Sequence, residues 1–208
     1  MASISYAVTV CNEIDELTQL LNFLQLHIRE EDEIVIQYDE ASVTKEVTEY
    51  LNLINVMHSN HKVVGFSLNN DFASFKNNLK SHCSKDYIFQ IDADEIPHEY
   101  LIEILGEVLD SNNVDIVFVP RINTVEGLTQ SHIQKWGWNV NENEWVNFPD
   151  YQTRIYKNTD DVTWMGKVHE RIIGYNTLSV LPAEEQYCLY HHKQIERQEK
   201  QNAYYDTI

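Results

Sequence analysis

Residues 1–119 alternate between short apolar runs and stretches whose apolar residues recur at helical spacing, and this alternation leaves few folds open. Ile4 to Val10 reads as a buried strand, and Leu17, Leu20, Leu21, Leu24 and Ile28 mark one face of a helix. Ile34 to Ile36 is a second strand. Ser42 is the expected cap of the next helix, with Val47, Tyr50, Leu51 and Ile54 on its inner face. Val63 to Phe66, Tyr87 to Ile91 and Val114 to Val119 are further strands. Between them lie helices marked by Phe72, Phe75, Leu79 and Cys83, and by Leu101, Leu105, Val108 and Leu109. The second of these helices is expected to open at Glu95 and Pro97. Strand–helix alternation predicts a three-layer α/β unit with a largely parallel sheet. Ligands of such sheets sit at the carboxyl ends of the strands. Here those ends are Asn12-Glu13, Asp39-Glu40, Asn69-Asn70 and Asp92-Ala93-Asp94, all polar or acidic.

The remainder, 120–208, is less periodic. Trp136, Trp138 and Trp145 fall in an Asn-rich stretch that reads as a long functional loop. Tyr151 to Tyr156, Thr163 to Met165 and Tyr187 to Tyr190 read as strands, and a polar helix is expected from about Lys193. No repeat or linker divides the chain, so 1–208 is read as one domain.

Charge narrows the function. The 208 residues carry 15 Lys and Arg against 33 Asp and Glu, a net charge of −18. Such a surface repels phosphate backbones and anionic lipids, which argues against a nucleic-acid or membrane-surface protein. No apolar run is long enough to span a bilayer. Cys11, Cys83 and Cys188 are an odd, widely spaced set, read as buried free thiols of a reducing compartment. The N-terminus lacks the basic stretch of a secretion signal, so a cytoplasmic protein is expected.

Asp92-Ala93-Asp94 is the sharpest chemical signal. Two carboxylates one residue apart, directly after an apolar strand, repel each other unless a cation or donors compensate. Hard divalent ions take oxygen ligands and bridge to substrate phosphates. Neither GxGxxG nor Walker A occurs, so an ordinary dinucleotide site or P-loop is not expected. The bland reading of the motif is a solvated turn. Arg154, on an alternating strand, either pairs with Asp150 or serves an anion. Glu170 beside Arg171 reads as an exposed ion pair or a catalytic group, and Glu30 to Glu33 reads as a solvated turn. His191 and His192 point to opposite faces if they lie on a strand.

Five blocks in order resemble family 2 glycosyltransferases, the nucleotide-sugar enzymes of GT-A fold. They are Ile4 to Glu13, Asp32 to Ser42, Asp86 to Pro97 with its "DADE" run, Asp150 to Tyr156, and Trp164 to Glu170. The resemblance implies a Rossmann-like α/β/α sandwich with a mixed, mostly parallel central sheet. It makes 1–119 the nucleotide-sugar-binding half and 120–208 the acceptor and catalytic half. It implies a metal-dependent inverting transfer from a UDP-sugar (glucose, galactose or N-acetylglucosamine) to a saccharide or other hydroxyl acceptor. Asp39 would accept from the base, with Thr9 and Glu13 in the same pocket. Asp92 would face ribose and metal, Asp94 would ligate Mn²⁺ or Mg²⁺, and His191 or His192 would reach the ion or diphosphate. Glu170 would be the base, with Asp150 and His169 as rivals, and Arg154 and Lys167 would supply positive charge. Ala41 stands where Gly is common in the family, and Lys76-Asn77 where Arg-Asn is common. Lys lacks the planar fork of Arg, which leaves the contact made by Lys76 to be found. Apart from the resemblance, Trp136, Trp138 and Trp145 read as core residues or as sugar-stacking platforms, and their polar surroundings favour acceptor binding. Readings from other classes are a non-catalytic nucleotide-sugar-binding module and a D-x-D phosphatase; in the latter the motif usually ends the first strand, and here it ends the fourth.

Overall fold

The computed structural model describes residues 1–205, and the side chains through residue 200. The first half follows the alternation closely: β1 (Ile4–Val10), α1 (Ile14–His27), β2 (Glu33–Asp39), α2 (Lys45–Met57), β3 (His61–Phe66), α3 (Phe72–Ser81), β4 (Tyr87–Asp92), β5 (Glu95–Pro97), α4 (Glu99–Asn112) and β6 (Ile116–Val119). The second half holds β7 (Arg121–Glu126), α5 (Gln130–Trp136), β8 (Gln152–Lys157), β9 (Thr163–Met165), β10 (Arg171–Ile173), β11 (Leu178–Val180), β12 (Leu189–Gln194) and α6 (Ile195–Tyr205).

Among the described residues, seven strands form one sheet in the order β11-β6-β8-β4-β1-β2-β3. Strands β1 to β4 are mutually parallel. Strand β8 enters antiparallel between β4 and β6, which makes the sheet mixed. Strand alternation sends Tyr6, Val8 and Val10 to one face, where they pack with Leu17, Leu51 and Leu105 of the helices α1, α2 and α4. It sends Ala7 and Val35 to the other, against α3 and the β9–β10 hairpin through Leu79, Trp164 and Ile172. Burying one large aliphatic side chain is worth about 1.5–3 kcal/mol, so both faces are firmly closed. A second, three-stranded sheet, β5-β12-β7, stands at the carboxyl end of β4 and forms one wall of the site.

Several local expectations are corrected. Thr44, not Ser42, caps α2, its hydroxyl accepting from the Val47 N–H. Glu95 to Pro97 is strand β5, because β12 pairs with it; α4 opens at His98, whose Nδ1 accepts from the Tyr100 N–H. The Trp-rich stretch is not all loop: Gln130 to Trp136 is helical, with a Thr129–His132 capping box. The last strand is Leu189–Gln194 rather than Tyr187 to Tyr190, since its polar residues pair with β7. In the acidic run, Asp32 is buried: it accepts from the Ile4 N–H at 2.8 Å and from the Arg29 guanidinium. Cys188 is buried, whereas Cys11 and Cys83 are half-buried; all three are free thiols. No described helix is long and apolar enough to cross a membrane.

Candidate active site

Strands β1 and β4 are neighbours in the sheet, but the chain leads from β1 to β2 toward one edge and from β4 to β6 toward the other. A crevice forms where the chain reverses direction in this way. A cleft of about 600 Å³ opens there. Thr9, Glu13, Asp39, Lys76, Asp92, Asp94, Arg154, Glu170 and His191 all line it. Asp150 and His192 do not.

Asp39 ends β2 and is almost wholly buried. One of its oxygens accepts from the Ala41 N–H at 3.2 Å and the Leu68 N–H at 3.0 Å. Two loops thereby fix the carboxylate at one end of the cleft.

Asp92 ends β4 opposite Thr9 of β1. It accepts from the Thr9 hydroxyl at 2.8 Å and from Arg154 at 2.7 Å. Burial would raise its pKa, but Arg154 and Lys76, with these hydrogen bonds, outweigh burial and hold it well below the usual carboxylate range. The Arg154 guanidinium is 5% exposed and also bonds Glu95, which is fully buried. Arg154 therefore pairs with Asp92 and Glu95, and not with Asp150. Arg121, at the start of β7, completes the cluster. It donates to Glu95 at 2.8 Å and grips Asp150 at 2.6 and 2.9 Å. Asn123 and Gln152 donate to Asp150 as well. Asp150 thus lies behind the cleft wall, and these partners overcome burial to lower its pKa, the wrong direction for a base.

Asp94 and His191 meet at the other end. The Nε2 of His191 is 3.4 Å from an Asp94 oxygen, and its Nδ1 is 2.7 Å from the Asn123 side-chain oxygen. Burial raises the Asp94 pKa, but His191 and Arg197 lower it more. Arg197 of α6 lies 3.3 Å from Asp94 and 2.7 Å from Glu13. Glu13 also accepts from the N–H groups of Cys11 and Asn12, which closes the mouth beside β1. His192 faces away, 60% exposed, bonded to Thr124 and near Glu126. Strand alternation separates the two histidines, and His191 joins the site.

The β9–β10 hairpin supplies the last wall. Asn77 of α3 pins it, bonding Thr163 and both backbone groups of Trp164. Lys76 lies 4.4 Å over the Trp164 ring and pairs with Glu170 at 2.6 Å. The partner of Glu170 is therefore Lys76 rather than Arg171. The turn between β9 and β10 has left-handed backbone at Gly166 and His169. His169 lines the cleft, and Lys167 does not.

Sequence reasoning missed Glu95, Arg121, Gln152 and Arg197. Gln152 was findable, since it shares a strand face with Arg154. Glu95 stood in the acidic run itself. Arg197 carries no local signal.

Oxygen and imidazole donors at one end, a backbone-fixed carboxylate at the other, and cations in the wall suit a ligand with a hydrogen-bonding head and a diphosphate. The sequence matches the family described as "Glycosyl transferase family 2" over residues 5–179. The fold is similar to that of S. aureus TarS 1-349, with a TM-score of 0.64 and 16% identity, over 92% of this chain and 60% of that one. The same fragment in complex with UDP-GlcNAc gives a TM-score of 0.65 and 17% identity, over 93% of this chain and 59% of that one. The chain thus spans about three-fifths of that fragment. The mannosyltransferase PcManGT from Pyrobaculum calidifontis, in complex with GDP-Man and Mn2+, reaches only 0.49 with 16% identity, over 57% of this chain and 35% of that one. No curated protein sequence matches the chain.

Proposed function

This chain belongs to glycosyl transferase family 2, and from that premise we propose that it moves a sugar, with inversion, from a UDP-sugar to an acceptor hydroxyl with the help of Mn²⁺ or Mg²⁺. The observation that carries the reading is the meeting of Asp94 with His191 at the crevice where Asp92 ends β4 beside Thr9 of β1.

The donor set suits such an ion. Among the described residues no three His, Cys, Asp or Glu side chains form a complete cage. One carboxylate and one imidazole leave coordination positions for phosphate oxygens and water, the usual arrangement for Mg²⁺ with a nucleotide. Asp94 and His191 would hold the ion, which when bound neutralises the charge that builds on the leaving diphosphate. Asp92 stays ionised, with Arg154 and Thr9 fixing it toward the ribose. Asp39 keeps the uracil end, where a carboxylate accepts the imide N–H; cytosine has no proton there. Glu170 takes the proton from the acceptor hydroxyl, and Lys76 fixes one of its oxygens. A hydroxyl of high pKa needs such a base on the face of the sugar opposite the diphosphate.

Calorimetry of UDP with and without Mn²⁺, on the parent and on Asp94→Ala, tests the reading. The parent binds UDP better with Mn²⁺ than without, and Asp94→Ala loses that gain while keeping its fold. Equal affinity of the mutant for UDP with Mn²⁺ removes Asp94 from the role. Equal affinity of the parent for UDP, GDP and CDP removes the uracil assignment.

A further inference from the structure

At the end of the sheet away from the cleft, where α1, α2 and β3 meet, two imidazoles aim at one point. The Nε2 of His58 and the Nε2 of His61 lie 3.4 and 3.3 Å from the Gln25 side-chain nitrogen. We propose that His58, His61 and Gln25 form a binding site for Zn²⁺, which clamps the turn before β3 to helix α1. The site is independent of the glycosyl-transfer reading.

The first support is the direction of the lone pairs. The Nδ1 of His61 is 2.9 Å from the Asn60 side-chain oxygen, which can only accept. The proton of neutral His61 therefore sits on Nδ1, and its Nε2 presents a lone pair. An amide nitrogen only donates, so the Nε2 of His58 also faces Gln25 as an acceptor. Two imidazole lone pairs thus converge on one amide group. A metal-bound histidine almost always donates its other ring N–H to an oxygen acceptor, which fixes ring and tautomer. Asn60 already fills that place for His61.

The second is that the backbone holds the pair in place. His58 is the C-cap of α2, its N–H on the Ile54 carbonyl at 3.1 Å. The His61 N–H returns to the His58 carbonyl at 3.3 Å, and the two ring centroids are 4.7 Å apart. The Ile34 N–H bonds the Asn60 carbonyl at 3.1 Å, which ties the turn to β2. His61 opens β3, the edge strand, and is buried, whereas His58 and Gln25 are half-buried, so an ion can enter from solvent.

The third is the kind of donor. Imidazole suits Zn²⁺, Cu²⁺ and Ni²⁺, whereas Mg²⁺ and Mn²⁺ are better served by carboxylate, carbonyl and water oxygens. Rotation of the Gln25 amide brings its oxygen inward as a third donor. Among the described residues no third His, Cys, Asp or Glu joins the pair, so water takes the fourth tetrahedral position. The site is remote from Asp94 and His191. Strand β3 runs from His61 to Phe66, and Phe66 is in register with Asp39 of the cleft. Five steps of about 3.3 Å put roughly 16 Å of strand between them.

The test is a Zn²⁺ titration of the full chain, read by ¹⁵N NMR of the histidine ring nitrogens, which separates this site from His191. Zn²⁺ moves the Nε2 signals of His58 and His61 together, and Mg²⁺ at the same concentration does not. His58→Ala weakens the Zn²⁺ response at His61 tenfold or more. Asn60→Ala, which removes only the partner of Nδ1, weakens it by about 10–100-fold. Unchanged far-UV circular dichroism reports that both variants are folded. Zn²⁺ that leaves the two signals in place, or moves His191 alone, overturns the proposal. So does a His61 response that is the same in His58→Ala as in the parent, or one that Mg²⁺ reproduces. The donor reading survives each of these results, because none of them reports on the cleft.

Discussion

The two long walls of the cleft are built from opposite materials. The wall from the first half carries acids at the carboxyl ends of parallel strands: Glu13, Asp39, Asp92 and Asp94. The wall from the second half carries Arg121, Arg154, His191 and Lys193, with Arg197 reaching across from α6. The acids are close in sequence to the strands that hold them. Their cations come from far along the chain: Arg154 is 62 residues from Asp92, and Arg197 is 184 from Glu13. Of the five arginines in the sequence, three serve this one place. In a chain of net charge −18, that is where the scarce positive charge is concentrated. The second half thus completes the electrostatics that the first half leaves open.

The pair Lys76–Glu170 reverses the pattern, with the cation from the first half and the acid from the second. That reversal gives the test with the largest effect. If Glu170 is the base, Glu170→Gln reduces turnover by about 10²–10⁴-fold. UDP affinity holds or rises, because Lys76 is then free of its partner. UDP release from donor and acceptor, beside calorimetry, reads both. Unchanged turnover moves the base to another residue, with His169, which lines the cleft, first in order.

The next test compares a buried cation with an exposed one. Arg154 is 5% exposed and serves two carboxylates. Arg154→Met leaves buried charge uncompensated and should cost about 3–5 kcal/mol in urea unfolding. Arg197 is 38% exposed, and Arg197→Met should cost at most about 1 kcal/mol. A cost of only about 1 kcal/mol for Arg154→Met would show that Arg154 lines the site without being integral to the fold.

The same contrast explains what was legible in the sequence. Strands β1 to β4 and their helices write their burial into local periodicity, so Leu17, Leu20 and Leu24 announced α1 without knowledge of anything distant. The acids announced a site because clustered like charge is costly. The second half depends on partners that periodicity cannot reveal. Glu95 looked like a helix opening because β12, which makes it a strand, lies nearly a hundred residues on. Helix α5 has no buried residue and hence no apolar stripe. Strand β12 reads polar because its Lys193 and Gln194 pair with β7 at a sheet edge. His191 and His192 were separable by alternation alone, but which of them faced the cleft depended on β7 and β5.

The smallest expected effect sits at the locally specified end of the comparison. Thr44 caps α2 through an Oγ1 to Val47 N–H contact of 3.5 Å, which is long for a hydrogen bond. Replacing a cap with Ala costs about 0.5–2 kcal/mol, and this length places Thr44→Ala near the lower end. Ser42, the cap expected from sequence, is exposed, and its N–H already bonds the Asp39 carbonyl at 3.1 Å. Ser42→Ala should therefore leave stability unchanged. Urea unfolding of the two variants separates them, with the same dependence on denaturant in both because the surface exposed on unfolding is the same. Thr44→Ala leaves turnover unchanged, since Thr44, unlike Ser42, does not line the cleft. A larger loss from Ser42→Ala than from Thr44→Ala would put the cap back at Ser42. A loss of turnover from Thr44→Ala would mean that α2, and with it the loop holding Asp39, is coupled to the charged wall after all.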